Sequence, residues 1–184
     1  MSKLFLVTGR PGVGKTSLII GLIDKVREKG YSVGGIVSKE FRRNGVRHGF
    51  EILDLLTGRK GILASSDLPF GPRIGKYKVN LKDLKDIAAD SLDKASDCDL
   101  IVCDEVGPME LLSPEFKRAL RRTLEGERIL LFSVHYKIRD PLIEELLAKG
   151  QLFELNIENR GELKDKLFNL ILESLEKNAY NRNR

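Results

Sequence analysis

Gly9-Arg10-Pro11-Gly12-Val13-Gly14-Lys15-Thr16 is the stretch whose reading decides the fold. It satisfies GxxxxGK[ST] at every fixed position, the pattern of a loop that wraps phosphate groups. Each residue type has a physical reason. Glycines let the main chain turn so that successive N–H groups point at phosphate oxygens. A helix beginning near Lys15 presents its positive end to the same anion. The Lys15 ammonium is placed to reach the β- and γ-phosphates, and the Thr16 hydroxyl is a magnesium ligand. The pattern is diagnostic only between a strand and a helix, and both flanks are present. Residues 3–8 form a short apolar run, and Leu18, Ile19, Leu22, Ile23 and Val26 recur at helical spacing before Gly30 stops them.

Working outward, the next informative stretch is Leu100-Ile101-Val102-Cys103-Asp104-Glu105. An apolar strand ending in an acid is the expected partner of a phosphate loop, because that carboxylate holds the magnesium shell from a neighbouring strand. Asp104 and Thr16 are therefore the metal-side pair. Glu105 follows immediately, where a carboxylate is able to take a proton from an attacking water, and general-base help of this kind is worth about 10²–10⁴ in rate. Lys15 and Glu105 are the catalytic candidates. The bland alternative for Glu105 is a structural salt bridge or a solvated side chain.

The remainder of the chain alternates strands and helices. Strands are expected at residues 33–40 and 49–56, joined by a turn at Arg43-Asn44-Gly45, with a short strand near 62–64. Residues 65–75, carrying Pro69, Gly71, Pro72 and Gly75, read as a loop. Helices follow at about 81–94, 114–124, 140–148 and 160–176, and strands at 100–103, 129–134 and 152–155. This pattern predicts an α/β fold: a mostly parallel P-loop sheet with helices on both faces and an inserted antiparallel meander at about 31–79. The expected organisation is one domain, 1–178, followed by a disordered basic tail, 179–184.

Composition excludes several classes. A 184-residue chain that is 41% hydrophobic and 32% charged is neither a disordered nor a membrane-embedded sequence. No apolar run approaches the roughly 20 residues a bilayer requires, and the opening apolar run is too short for a secretory signal. Cys98 and Cys103 form no CxxC pair, so reduced thiols in the cytoplasm are expected. The net charge of +5 suits an anionic ligand. Nucleic acid remains an open but unsupported partner, since nothing resembles an interleaved basic and aromatic RNA surface. The sequence does not address oligomeric state.

The chain resembles the small P-loop nucleoside-triphosphatase family that includes the cancer-related nucleoside-triphosphatase. The resemblance is carried by Gly9 to Thr16, Gly49-Phe50-Glu51-Ile52, Gly71-Pro72-Arg73-Ile74-Gly75-Lys76-Tyr77, Asp104-Glu105-Val106-Gly107-Pro108-Met109-Glu110-Leu111 and Glu158-Asn159-Arg160. It implies magnesium-dependent hydrolysis of the γ-phosphate of ATP, GTP and other nucleoside triphosphates without strict base selectivity. It also implies that the nucleotide site is made by Gly9 to Thr16 together with Leu100, Ile101, Val102, Cys103, Asp104, Glu105, Val106 and Gly107. Ser38 stands where the family usually has Thr.

Other polar residues carry weaker expectations. Ser133 and His135 follow Ile129 to Phe132 of a strand that could lie between the two motif strands, and a polar residue there is a γ-phosphate sensor in some P-loop ATPases. Arg10, Arg73, Arg139 and Arg160 are candidates for transition-state charge stabilisation, and all four stay outside the catalytic set. Arg160 opens a helix, where a cation opposes the helix dipole, which points to a phosphate- or base-facing task. Two alternative functions compete: a nucleotide or small-metabolite kinase whose acceptor is held by Arg42, Arg43, Arg47 and Arg73, and a nucleotide-gated module that binds RNA or protein.

Overall fold

Apolar residues occupy both faces of the first strand, and the sheet is covered on both sides as a result. In the computed structural model, which describes residues 3–135 and 137–182, β1 (Lys3–Thr8) sends Leu4 and Leu6 into one core and Phe5 and Val7 into the other. Side chains alternate across any strand, so a strand apolar on both faces has to be interior to the sheet and covered on both sides. After the loop at 9–14, α1 (Lys15–Glu28) buries Leu18, Ile19, Leu22, Ile23 and Val26 against the second of these cores. Five strands follow: β2 (Val33–Arg43), β3 (Val46–Asp54), β4 (Lys60–Ser65), β5 (Arg73–Ile74) and β6 (Tyr77–Val79). A helical stretch then combines α2 (Leu81–Asp83), a π-helical segment (Leu84–Ala89), α3 (Asp90–Lys94) and a 3-10 turn (Ala95–Asp97). The chain continues through β7 (Leu100–Val106), a 3-10 turn (Glu110–Leu112), α4 (Pro114–Glu125), β8 (Ile129–Val134), α5 (Pro141–Lys149), β9 (Gln151–Glu154) and α6 (Arg160–Arg182).

The described strands form one sheet in the order β5-β6-β4-β3-β2-β7-β8-β1-β9. Pairings from β2 through β7, β8 and β1 to β9 are parallel, and those from β2 outward to β5 are antiparallel. The strand at 129–134 does lie between the two motif strands, as its sequence position suggested. The meander differs from expectation in one respect. It does not stand apart from the parallel sheet, because β2 belongs to both: Val33–Val37 pairs in parallel with Leu100–Asp104, while Ile36–Arg43 pairs with β3. The hairpin turn falls at Asn44-Gly45, with Asn44 at φ 49, the conformation that an Asn-Gly hairpin demands.

Three elements depart from the sequence expectation. Residues 65–75, expected as a loop, lead into β5 and β6, strands of two and three residues, too short for a period-two pattern to register. An edge-on contact between Phe50 and Tyr77, with ring centroids 5.4 Å apart, ties them to β3. The expected helix at 81–94 is interrupted by the π-helical segment. Finally, α6 runs to Arg182, so residues 179–182, expected as a disordered tail, are helical; Asn183 and Arg184 lie outside the described residues. The extension has physical cause. Gly161 is the last glycine of the chain and no proline follows it, Lys177 pairs with Glu173 one turn away, and Asn178 donates to the Glu127 carbonyl at 3.1 Å.

The helix after β8 is anchored by a residue with two tasks. Asp140 accepts the Leu142 N–H at 2.9 Å and pairs with Lys117 at 3.0 Å, with Pro141 in the first helical position. Asp140→Ala is expected to lower stability by about 1 kcal/mol in urea unfolding. Asp140→Asn, which keeps the cap and loses the ion pair, should recover most of that. Equal losses in both variants would show that the pair with Lys117 carries the effect instead.

Candidate active site

The loop at 9–14 leaves the carboxyl end of β1 and passes against the chain that leaves β9. A methyl group added at Gly9 would meet the Leu155 carbonyl oxygen at 2.6 Å and Val13 Cγ1 at 2.9 Å, so only glycine permits this approach. At the far end of the loop Gly14 precedes α1 with φ 103, left-handed, and supplies no side-chain cap. The first amides of α1 are thus left without a side-chain acceptor, the condition that makes a helix N-terminus a seat for an anion. Lys15 follows directly, and its ammonium donates to the Gly9 carbonyl at 3.0 Å. Sequence and geometry meet here: three glycines, a lysine and a threonine are drawn around one point.

Thr16 and Asp104, 88 positions apart, are brought into contact: the threonine hydroxyl donates to Asp104 Oδ2 at 2.7 Å. Ser133, at the end of β8, donates its hydroxyl to Asp104 Oδ1. Asp104 is buried, and burial raises its pKa to about 6 although both hydroxyls and Lys15 pull it down. The donor set is hard oxygen only, a hydroxyl and a carboxylate. Among the described residues there is no cluster of three or more His, Cys, Asp or Glu placed to cage an ion. Such a sparse set fits magnesium, which keeps several waters and takes its other ligands from substrate phosphates.

Glu105 follows through a cis peptide bond. It is largely buried, and its Oε1 has no hydrogen-bond partner among the described residues. The Ser38 hydroxyl on β2 is also buried without a partner; it comes one residue after Val37, which lies beside Asp104 in the sheet. Burial raises the Glu105 pKa, opposed by the nearby Lys15 charge. Buried polar atoms are nearly always bonded, so an acceptor left bare beside a phosphate loop marks a place for a water or a ligand.

A further acid emerges that the sequence left without a role. Glu110 is 4% exposed and accepts the Gly107 N–H at 3.2 Å. A methyl group added at Gly107 would meet Glu110 Oε2 at 3.1 Å and Glu105 Oε1 at 3.3 Å, so the two carboxyls flank one glycine. Burial, then the charge of Glu105, pushes the Glu110 pKa up to about 8. The available signal was an acid enclosed by Met109, Leu111 and Leu112, where a solvated side chain is out of place.

Leu100, Ile101, Val102 and Cys103 pack alternately into the two cores, so what they bring to the site is the strand that ends in Asp104 and Glu105. Val106 is buried, and its carbonyl accepts the His135 N–H at 3.2 Å. The His135 ring has its pKa lowered by burial and by Lys15, and its Nδ1 accepts the Lys137 N–H at 3.4 Å. Arg10 is exposed, with its carbonyl bonded to the Val13 N–H at 3.2 Å. Arg42 and Arg47 both pair with Glu40, and Arg43 with Asp67, so the cations of the hairpin are engaged by its own acids. Arg73 sits on the outermost strand of the sheet. The Arg160 guanidinium lies beside the loop, its Cζ 3.5 Å from the position a methyl group on Gly14 would take.

A sheet whose β2-to-β9 half is parallel, a glycine loop feeding a helix from the interior strand β1, and a Thr–Asp pair beside that loop define a P-loop nucleotide-binding protein. The chain belongs to the NTPase family, whose model matches residues 4–168, and is thereby an enzyme of nucleoside-triphosphate hydrolysis. It is 43% identical to a nucleoside-triphosphatase THEP1 of Methanosarcina acetivorans over 170 residues, covering 92% of this chain and 97% of the relative. Identity to the THEP1 of Thermofilum pendens is 37%, covering 90% and 93%. Among solved structures, a human cancer-related nucleoside triphosphatase matches with TM-score 0.77 at 32% identity, covering 95% of this chain and 99% of that one. The THEP1 of Aquifex aeolicus matches with TM-score 0.78 at 27% identity, covering 91% and 98%. The family and the fold that the motifs implied are those found. No helix among the described residues is long and apolar enough to cross a membrane.

Proposed function

We propose that the protein is a magnesium-dependent nucleoside-triphosphate phosphohydrolase that releases the γ-phosphate of ATP, GTP and other nucleoside triphosphates with little base preference. The observation that carries this reading is the unpartnered, buried Oε1 of Glu105 next to the Thr16–Asp104 pair at the mouth of the phosphate loop. Loop amides from Gly9 to Thr16 bind the phosphates, and the Lys15 ammonium offsets charge at the transferring group. Thr16 and Asp104 hold magnesium, which when bound neutralises and orients the phosphate oxygens. Ser133 keeps the Asp104 carboxylate turned towards Thr16. Glu105 accepts a proton from water as its oxygen bonds to the γ-phosphorus and the bond to the β-γ bridging oxygen breaks, giving a nucleoside diphosphate and inorganic phosphate. Leu100 to Cys103, Val106 and Gly107 serve as the frame that holds these groups. The reduced thiols of Cys98 and Cys103, both buried, accord with a cytoplasmic location.

The test is a phosphate-release assay with ATP, GTP, CTP and UTP, with magnesium and with the metal chelated. Release from all four at rates within about tenfold of each other, abolished by chelation, is the expected result. Turnover confined to one base, or undiminished without metal, would refute the corresponding part of the proposal.

A further inference from the structure

A cation at the first position of a helix faces the positive end of the dipole, and Arg160 occupies that position in α6. Among the described residues it forms no hydrogen bond or ion pair that would justify the placement, although it is exposed. Its guanidinium lies beside the phosphate loop. The position of a methyl group on Gly14 lies 3.5 Å from Arg160 Cζ and 3.6 Å from both Nε and Nη2. Near-equal distances to three atoms of a planar group mean that the point lies over the plane rather than beyond its edge. The guanidinium therefore turns one face towards the open side of Gly14. Exposure of the residue leaves its other face to solvent.

The two asparagines of the loop before Arg160 spend most of their polar groups on the loop itself. Asn156 Oδ1 accepts the N–H groups of Glu158 and Asn159, at 3.0 and 2.9 Å. Asn159 Oδ1 accepts the Asn156 N–H at 2.9 Å, and Asn159 Nδ2 donates to the Glu154 carbonyl at 2.9 Å. Both amides of Asn159 and the carbonyl of Asn156 are thus committed to shaping the loop and are withdrawn from reading the edge of a base. A flat cation beside the loop that grips the phosphates, with both asparagine carbonyls and the Asn159 side-chain amide engaged within the loop, is suited to contact through its face. Guanidinium planes stack on aromatic faces, and stacking tolerates any sequence because every base has a π-face.

We infer that Arg160 is the platform on which the nucleobase rests, and that this face contact accounts for acceptance of different bases. The inference rests on the triphosphatase reading above, since it assigns the base end of the same ligand.

The experiment is titration calorimetry of the full chain and its Arg160→Ala and Arg160→Lys variants with ADP, GDP, CDP and UDP, beside inorganic tripolyphosphate. The expected result is a loss of roughly tenfold in affinity for the purine diphosphates in both variants, smaller for the pyrimidines, with tripolyphosphate binding unchanged. In turnover, KM rises by a similar factor while kcat stays within about twofold. Rescue by lysine together with weaker tripolyphosphate binding would make Arg160 a phosphate contact and overturn the stacking role. Unchanged affinity for every ligand would overturn it as well. Failure of the underlying reading is separately visible, because the unaltered protein would then release no phosphate from the triphosphates whatever its affinity for the diphosphates.

Discussion

Glu105→Gln is expected to lower triphosphate turnover by about 10²–10⁴ while nucleotide affinity stays within a few-fold. The substitution keeps the shape and hydrogen-bonding reach of the side chain and removes only its capacity to take a proton. Because Glu105 Oε1 has no partner among the described residues, the change breaks no hydrogen bond to that oxygen, and the burial that raises the carboxyl pKa makes a neutral amide easier to accommodate than the carboxylate. A loss confined to kcat therefore follows from the missing base. Lys15→Ala is expected to behave differently: under the proposed function its ammonium acts on the phosphates in the ground state as well, so affinity and turnover should fall together. Single-turnover phosphate release, paired with binding of a non-hydrolysable triphosphate, separates the two patterns. A fall of less than tenfold in Glu105→Gln would remove that residue from the reaction and leave water to be activated by the phosphate itself.

How much of this was legible beforehand follows the range of the interactions. The phosphate loop is a local device: its glycines, Lys15 and Thr16 act within eight consecutive residues, and a strand and helix on either side can be read from periodicity. The meeting of Asp104 with Thr16 was legible as well, because an acid ending an apolar strand, common by itself, becomes specific downstream of a complete phosphate loop. Glu110 was not, since nothing local says that the chain after Gly107 folds back to bury it against Glu105. The Arg160 contact with Gly14 joins positions 14 and 160 and exists only once β9 has paired beside β1. The sharing of β2 between the parallel and antiparallel halves of the sheet has the same origin. Its residues read simply as a strand, and only pairing with both β3 and β7 reveals the double membership.

Glu110 supplies the second large effect, on stability rather than rate. Its carboxyl has an ordinary pKa near 4.5 when exposed and about 8 in the fold, raised by burial, by Glu105 and by Asp104, with the Gly107 N–H opposing. Below pH 4.5 folded and unfolded chains both hold the proton, and the contribution to stability is fully present. Between 4.5 and 8 the unfolded chain has released it while the folded chain retains it, so stability declines as pH rises through this window, at up to about 1.4 kcal/mol per pH unit. Asp104, raised to about 6, adds to the decline only in the lower part of the window. Glu110→Gln abolishes the Glu110 component: Gln offers an oxygen to the Gly107 N–H and an amide proton towards the bare oxygen of Glu105. Urea unfolding at pH 6 and pH 8 should therefore show the unaltered protein losing more stability than the variant over that interval, by on the order of 2 kcal/mol. Parallel declines in the two proteins would mean that Glu110 is already ionised in the folded state. In that case Glu105 would face a second negative charge at neutral pH rather than a neutral carboxylic acid.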